Sequence, residues 1–167
     1  FISKIQLRQK TVVNLSARSI MGGENQPHNL KSKVVTFDTI KADEQLGQQF
    51  GIPVDEELYR VIRLRYWHDQ LYSLERSYYL CSVVRFISVE AVNSSIFEYL
   101  EEVYGIRVAN SDDYLSLTEL NPEDANLLAQ PAGKAFLTLD SSNYYKNNGL
   151  FNFSRTVFAY PELALYF

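Results

Sequence analysis

The chain has very little of several residue types, and each shortage excludes a class of protein. Its 167 residues contain one cysteine, Cys81, so an internal disulfide framework and a cysteine-based zinc site are excluded. His28 and His68 have no acidic or histidine neighbours at metal-ligand spacing, so we expect surface residues, and neither a metal nor a cofactor. No apolar run approaches the ~18 residues that span a membrane, and no signal peptide is visible. A lone cysteine fits a reducing cytosol, so we expect a cytoplasmic protein.

The chain also lacks an excess of positive charge. Sixteen Lys and Arg against twenty Asp and Glu give a formal net charge of −4, which argues against nucleic-acid binding through a broad basic face. By contrast, 46% of the residues are hydrophobic, and there are twelve Tyr and ten Phe. This is enough for the core of one domain, and aromatic side chains suit strands and pocket walls. Because the chain begins with Phe1 and not Met, we expect a fragment or a processed chain.

Two arginines two residues apart are the most informative local feature. Arg63 and Arg65 lie in a run over residues 58–67 that predicts a strand, so both side chains point to the same face. Two neighbouring guanidiniums are costly to desolvate, and their planar forks suit a phosphate or a carboxylate. Taken alone, the pair favours the simpler interpretation of two surface arginines on a solvated strand.

The length of the turn after this strand decides whether Glu75 lies on the same face as the arginines. Residues 68–70 predict a polar turn, and residues 71–80 predict a second strand. With a three-residue loop centred on Asp69, antiparallel pairing sets Arg63 opposite Glu75, whereas a two-residue loop moves Glu75 to the other face. The acid is then either a ligand-binding group or part of a plain cross-strand salt bridge, which stabilises little if exposed.

The remaining pattern predicts alternating strands and helices. Ser95 with Glu98 forms a capping box that begins one helix, which ends before Gly105, and Asn121 followed by Pro122 begins another. Because tight turns join most neighbouring strands, we expect an α+β fold with a largely antiparallel sheet and helices covering one face. The predicted strands are 34–38, 58–67, 71–80, 114–119, 135–145, 151–160 and 163–167, and the predicted helices are 42–50, 95–104 and 121–129.

Seven short motifs occur in a defined order along the chain. They are Leu46 to Gly51 before Val54, Arg63-Leu64-Arg65, Glu75, Tyr78-Tyr79-Leu80, Ser95-Ile96-Phe97, Tyr104-Gly105, and Gly149 to Ser154 before a short aromatic strand. This order resembles the UTRA effector-sensing domain of gluconate-repressor-type (GntR-type) bacterial transcription regulators, in the branch named for the histidine-utilisation repressor (HutC). The resemblance covers residues 9–167 and implies a fold similar to chorismate lyase.

The resemblance implies a sensor and not an enzyme. In full-length relatives a winged-helix DNA-binding domain precedes this domain; residues 1–8 resemble the end of its wing and the interdomain linker, so the DNA-binding domain would be absent from this chain. Relatives bind small effectors, many of them phosphorylated sugars, and act as homodimers on operator DNA. One alternative is a chorismate-lyase-like enzyme acting on a small carboxylate, although no nucleophile–base pair is visible. Another is a dimerisation module whose pocket has lost its ligand.

The resemblance also implies a charged part of the ligand site. Arg63 and Arg65 match the anion-binding arginines of the family. Glu75 would accept hydrogen bonds from ligand hydroxyls or pair with Arg63 in the empty state. Ser95 would cap its helix and, with the free N–H groups of that helix N-terminus, face an anion.

Two further segments complete the expected site. Ser19 and Gly22-Gly23 lie where relatives place a loop that closes over the ligand, although glycines there are also consistent with a simple turn. On the second hairpin, one of Tyr144 and Tyr145 would face the pocket, and we select Tyr144. Asn152 would contact sugar hydroxyls; relatives that bind amino sugars often have Glu near this position, which leaves the identity of the ligand open.

Overall fold

The structure is a computed structural model that describes residues 11–14, 30–159 and 163–166. In chain order the elements are β1 (Thr11–Asn14), β2 (Lys31–Lys41), α1 (Glu44–Phe50), β3 (Glu57–Trp67), β4 (Gln70–Leu80), α2 (Val89–Asn93), α3 (Ile96–Tyr104), β5 (Asn110–Glu119), α4 (Pro122–Leu127), β6 (Ala135–Tyr145), β7 (Gly149–Phe158) and β8 (Leu163–Tyr166). Six strands form an antiparallel sheet in the order β2-β3-β4-β7-β6-β5, and β1 pairs with β8 in a separate parallel sheet. The α+β fold is confirmed. No helix in these ranges is both long enough and apolar enough to cross a membrane.

Helices cover both faces of the sheet, so the expectation of helices on one face is wrong. α1 packs near Leu58 and Phe153, and α4 packs on Ile62. α2 and α3 instead pack on Val61 and Tyr79. Val61 and Ile62 are consecutive in β3, so their side chains point to opposite faces. Both faces of the central strands are apolar here, and each therefore needs cover from water.

Capping residues predicted the end of α1 and both ends of α3 correctly. Gly51 and Gly105 end α1 and α3 in the left-handed region, with φ of 64° and 63°, a conformation that glycine adopts without strain. The Ser95 side chain caps α3 as predicted. α1 begins after an Asp43 cap and not at Ala42. α2, only five residues long, was not predicted because such a short segment shows no helical period.

The hairpin of β3 and β4 sets Glu75 opposite Arg63 through a shorter turn than predicted and a β-bulge that was not predicted. Its turn has two residues, His68 and Asp69, which both have positive φ, 47° and 61°, as type I′ turns require. A β-bulge at Tyr72, between the pairs Tyr66–Leu71 and Arg65–Ser73, then shifts the register by one residue. The expected three-residue loop is wrong, but the predicted pairing of Arg63 with Glu75 is confirmed.

The N-terminus of α4 is tied to β4 by a buried carboxylate. The Asn121 side chain accepts a hydrogen bond from the Asp124 N–H at 2.8 Å, which confirms the predicted cap. The Asp124 carboxylate accepts hydrogen bonds from Arg76 Nε at 2.8 Å and Nη2 at 2.6 Å. Because Asp124 is buried, this ion pair is shielded from solvent and salt. It fixes α4 over the sheet face opposite to α2 and α3.

We expect the Asp124→Asn variant to lower the free energy of unfolding by about 2 kcal/mol. The substitution weakens the charge-assisted hydrogen bonds and leaves Arg76 with Glu123, whose side chain is exposed. Urea denaturation followed by circular dichroism measures the loss. Asp113→Asn, at an exposed position of β5, is the matched control and should change stability by less than ~0.5 kcal/mol. Equal denaturation midpoints for the two variants would contradict the proposed role of this ion pair.

Candidate functional site

One face of the sheet carries a continuous patch of polar side chains, which we call the polar face. Strand alternation and the observed register put these residues on the same side as α2 and α3. The patch lies between two apolar clusters on this side, one beneath α2 and α3 and one around Leu139 and Phe158. Its members are Arg63 and Arg65 of β3, Ser73, Glu75 and Ser77 of β4, Asn152, Ser154 and Thr156 of β7, and Ser141 and Asn143 of β6.

Two guanidiniums meet one carboxylate at the centre of the polar face. Arg63 Nη2 donates to both oxygens of Glu75, at 2.9 and 3.0 Å, and Arg65 Nη1 lies 3.5 Å from Glu75 Oε2. The Ser77 hydroxyl donates to Glu75 Oε1 at 2.7 Å. Arg63 is 3% exposed and Arg65 is 8% exposed, so the interpretation of two solvated surface arginines is wrong.

The charges of this cluster change one another's pKa. Burial raises the pKa of Glu75, but Arg63 and Arg65 together with the Ser77 hydroxyl outweigh it and lower the pKa to about 2. Burial lowers the pKa of Arg63, and the Glu75 carboxylate more than reverses this, so the net direction is upward. For Arg65, desolvation dominates and the neighbouring Arg63 adds to it, so its pKa is lowered despite Glu75. The charged form of Arg65 is therefore costly, and an additional anion here would stabilise it.

Arg63 also connects the sheet to the junction between α2 and α3. Its Nη1 donates to the Val92 carbonyl at 3.1 Å and to the Ser94 carbonyl at 3.4 Å. The next residue, Ser95, caps α3 by accepting a hydrogen bond from the Glu98 N–H at 3.3 Å. The N-terminus of α3 thus follows directly on the arginine contact. The capping role of Ser95 is confirmed, and its contact with a ligand stays a prediction.

The two predicted site residues of the second hairpin lie on different faces. Asn152 is on the polar face, fully buried, and its Oδ1 accepts a hydrogen bond from Asn143 Nδ2 at 2.7 Å. Tyr144 points to the opposite face, where its hydroxyl donates to Asp112 at 3.0 Å. Tyr145 packs edge-on against Phe151 in the apolar cluster beneath α2 and α3. The structure therefore does not bring Tyr144 to Arg63 and Glu75, and its expected place in the pocket is corrected.

Some of the predicted features lie outside the described residues. These are the loop with Ser19 and Gly22-Gly23, His28, and the wing-and-linker segment 1–8. They stay predictions.

Sequence reasoning missed six polar residues of this face: Ser73, Ser77, Ser141, Asn143, Ser154 and Thr156. The signal was present, because Ser141 and Asn143 are two residues apart in β6, and Asn152 and Ser154 are two apart in β7. Polar residues at alternate positions ordinarily indicate the solvated side of a strand. Ser141, Asn143, Asn152 and Ser154 are instead all buried in the structure.

Comparisons with known proteins agree with this architecture. Residues 25–161 match the UTRA domain family. YydK, an uncharacterised HTH-type transcriptional regulator of Bacillus subtilis strain 168, is 30% identical over 155 residues, which are 93% of this chain and 66% of YydK. Its crystal structure matches with a TM-score of 0.82 at 29% identity, covering 96% of this chain and 68% of that one.

Two more distant relatives extend the comparison. MngR of Escherichia coli K12, the mannosyl-D-glycerate transport/metabolism system repressor, is 25% identical over 127 residues, 76% of this chain and 53% of MngR. A GntR-family transcriptional regulator from Bacillus cereus shares the fold, with a TM-score of 0.73 at 20% identity, covering 83% of this chain and 96% of that one. The chain thus spans about two thirds of YydK and about half of MngR.

Proposed function

Because the chain belongs to the UTRA domain family, we propose that it is the ligand-sensing domain of a GntR-type transcription regulator. The polar face binds a small anionic metabolite in this proposal. The observation that carries it is the convergence of Arg63 and Arg65, both buried, on one carboxylate. The Glu75 carboxylate is itself an oxyanion bound by these two guanidiniums, and a ligand phosphate or carboxylate has the same kind of oxygen atoms.

The chemistry of the site favours a phosphorylated sugar as the ligand. Planar guanidiniums bind phosphate oxygens in two-point contacts, and Arg63 and Arg65 present two such groups on one face. The rest of the polar face offers hydroxyl and amide groups that suit sugar hydroxyls. MngR is named as the repressor of a mannosyl-D-glycerate transport/metabolism system. Mannosyl-D-glycerate combines an anionic group with sugar hydroxyls, as a phosphorylated sugar does, but its anionic group is a carboxylate.

Ligand binding would act through the equilibrium between two arrangements of a homodimer. A ligand shifts such an equilibrium only by its different affinity for the two states. Operator DNA would be bound by a winged-helix domain ahead of residues 1–8, and residues 9–167 would form the sensor. Assignment to the HutC branch is part of the same proposal. The matched relatives are transcription regulators, so we do not propose an enzyme.

The Arg65→Met variant tests the anion site with little risk to the fold. Arg65 is buried and desolvation disfavours its charge, and Glu75 keeps Arg63 as a partner when Arg65 is removed, so we expect the unliganded variant to be as stable as the wild type or slightly more stable. Loss of one charge-assisted contact should weaken binding of inorganic phosphate and of glucose 6-phosphate by about tenfold to hundredfold. Isothermal titration calorimetry measures both affinities.

Arg107→Met is the control for this experiment. Arg107 is an exposed arginine that pairs with Glu101 on the surface, so its loss should leave both affinities unchanged. If neither anion binds the wild type, or if both variants bind as tightly as the wild type, the anion site is not at Arg63 and Arg65.

A further inference from the structure

Several buried polar groups on the polar face make no hydrogen bond with the protein. The Nε of Arg63 and the Oδ1 of Asn143 have no partner in the described part of the chain. Within the same residues, the hydroxyls of Ser141 and Ser154 also make no hydrogen bond; these serines are only 2% and 7% exposed, but their oxygen atoms are not fully sealed from solvent. Buried polar groups in folded proteins are paired in roughly 90% of cases or more. Such a concentration in one patch indicates a missing partner.

Three serines form a row across neighbouring strands of this patch. Ser77 of β4 pairs with Ser154 of β7, which pairs with Ser141 of β6. Side chains directly opposite each other in antiparallel strands have Cβ atoms roughly 5 Å apart. We call Ser77, Ser154 and Ser141 the serine row. Ser77 donates to Glu75, so the row begins at the charged cluster and leads away from it.

The serine row contains only neutral hydroxyl groups. On this face of β4, β7 and β6, Glu75 is the one acid, and it is already held by Arg63 and Arg65. Asp113 lies beyond the row, on the edge strand β5, and is exposed. Each serine hydroxyl can donate and accept, and Asn143 Oδ1 can only accept. The natural complement is a ligand with several hydroxyl groups next to its anionic group.

We propose that the serine row and Asn143 form a second, uncharged subsite that binds the hydroxyl groups of the effector. This inference rests on the proposed function and deepens it: the effector is a polyhydroxylated anion, with its acidic group at Arg63 and Arg65. Apolar residues would pack better than unpaired hydroxyls in an ordinary core, so the serines carry a stability cost that ligand binding removes.

The double variant Ser141→Ala/Ser154→Ala tests this subsite. In the wild-type chain, glucose 6-phosphate should bind at least about tenfold tighter than inorganic phosphate, since only the sugar ester reaches both subsites. The double variant should lose this advantage, about tenfold for two neutral hydrogen bonds, while its affinity for inorganic phosphate stays unchanged. Its melting temperature without ligand should be equal to or above that of the wild type, because the removed hydroxyls have no partner.

Ser142→Ala is the matched control, because Ser142 is the neighbour of Ser141 and points to the opposite face of β6. It should leave the ratio of the two affinities unchanged. The inference is overturned if wild-type affinities for phosphate and glucose 6-phosphate are equal, or if the double variant keeps the ratio, which would mean that the serines hold water only. It is also overturned if the unliganded double variant melts well below the wild type. None of these three outcomes would affect phosphate binding that depends on Arg65. The proposed function could therefore still hold if the serine subsite does not exist.

Discussion

The Glu75→Gln variant is expected to lose about 3–5 kcal/mol of unfolding free energy at pH 7. Glu75 is the carboxylate that Arg63 and Arg65 share, and both arginines are buried. Glutamine keeps the shape but removes the charge, so two desolvated guanidiniums would lie beside a neutral amide. One end of that amide is itself a hydrogen-bond donor and cannot accept from Arg63. Removing one partner of a buried ion pair is costly because the other charge is left without compensation.

Urea denaturation of the variant and the wild type measures this loss. Inorganic phosphate should restore part of the stability of Glu75→Gln, and should stabilise it more than the wild type, because the anion takes the place of the missing carboxylate. Glu119→Gln, at an exposed position of β5, is the control and should change stability by less than ~0.5 kcal/mol. A Glu75→Gln variant within ~1 kcal/mol of the wild type, with no response to phosphate, would show that this cluster is not a desolvated ion-pair site.

The sequence predicted most elements of the fold because capping and turn signals are local. Asn121 and Ser95 cap helices at the predicted positions, and Gly51 and Gly105 end helices where glycine was expected. Which face a helix covers is not local, since it depends on how the sheet is ordered. The alternation in β3 is equally consistent with one core face and one functional face, so the two-sided arrangement of helices does not follow from the sequence.

Register explains both the success and the weak point of the site prediction. The turn is one residue shorter than expected, which alone would move Glu75 to the other face. The bulge adds one residue to β4, so the two differences cancel and Glu75 lies opposite Arg63. No residue type in 68–73 demands a bulge at Tyr72, so the correct pairing followed from an incorrect loop. The alternating polar residues in β6 and β7 are equally ambiguous. Whether such a strand face is exposed to solvent or buried depends on which other elements of the fold pack over it. Tyr144 and Tyr145 are consecutive, so they point to opposite faces of β6, and the sequence alone does not indicate which of the two shares the face of Asn143.

Acid should remove the contribution of Glu75 to stability in a defined pH window. Arg63, Arg65 and Ser77 lower the pKa of the Glu75 carboxyl from 4.5 to about 2 in the folded protein. Because the folded pKa lies below the unfolded one, the stabilisation is complete above pH 4.5 and is lost as the pH falls from 4.5 towards 2. A shift of this size corresponds to about 3 kcal/mol. The direction is opposite to that of an unpaired buried carboxyl, which would lose stability as the pH rises.

The difference in unfolding free energy between the wild type and Glu75→Gln isolates this effect, because the other carboxylates titrate in both proteins and cancel. We expect the difference to be constant from pH 7 to about pH 5 and to shrink by about 3 kcal/mol towards pH 2, where protonated Glu75 resembles glutamine. Arg65→Met should reduce the amplitude, since one of the two guanidiniums that lower the pKa of Glu75 is gone. A difference that stays flat across the acid range would mean that Glu75 titrates alike in the folded and unfolded chains. In that case the two arginines would not hold an anion in a desolvated site, and they would not form a preformed binding site for a phosphate or any other oxyanion.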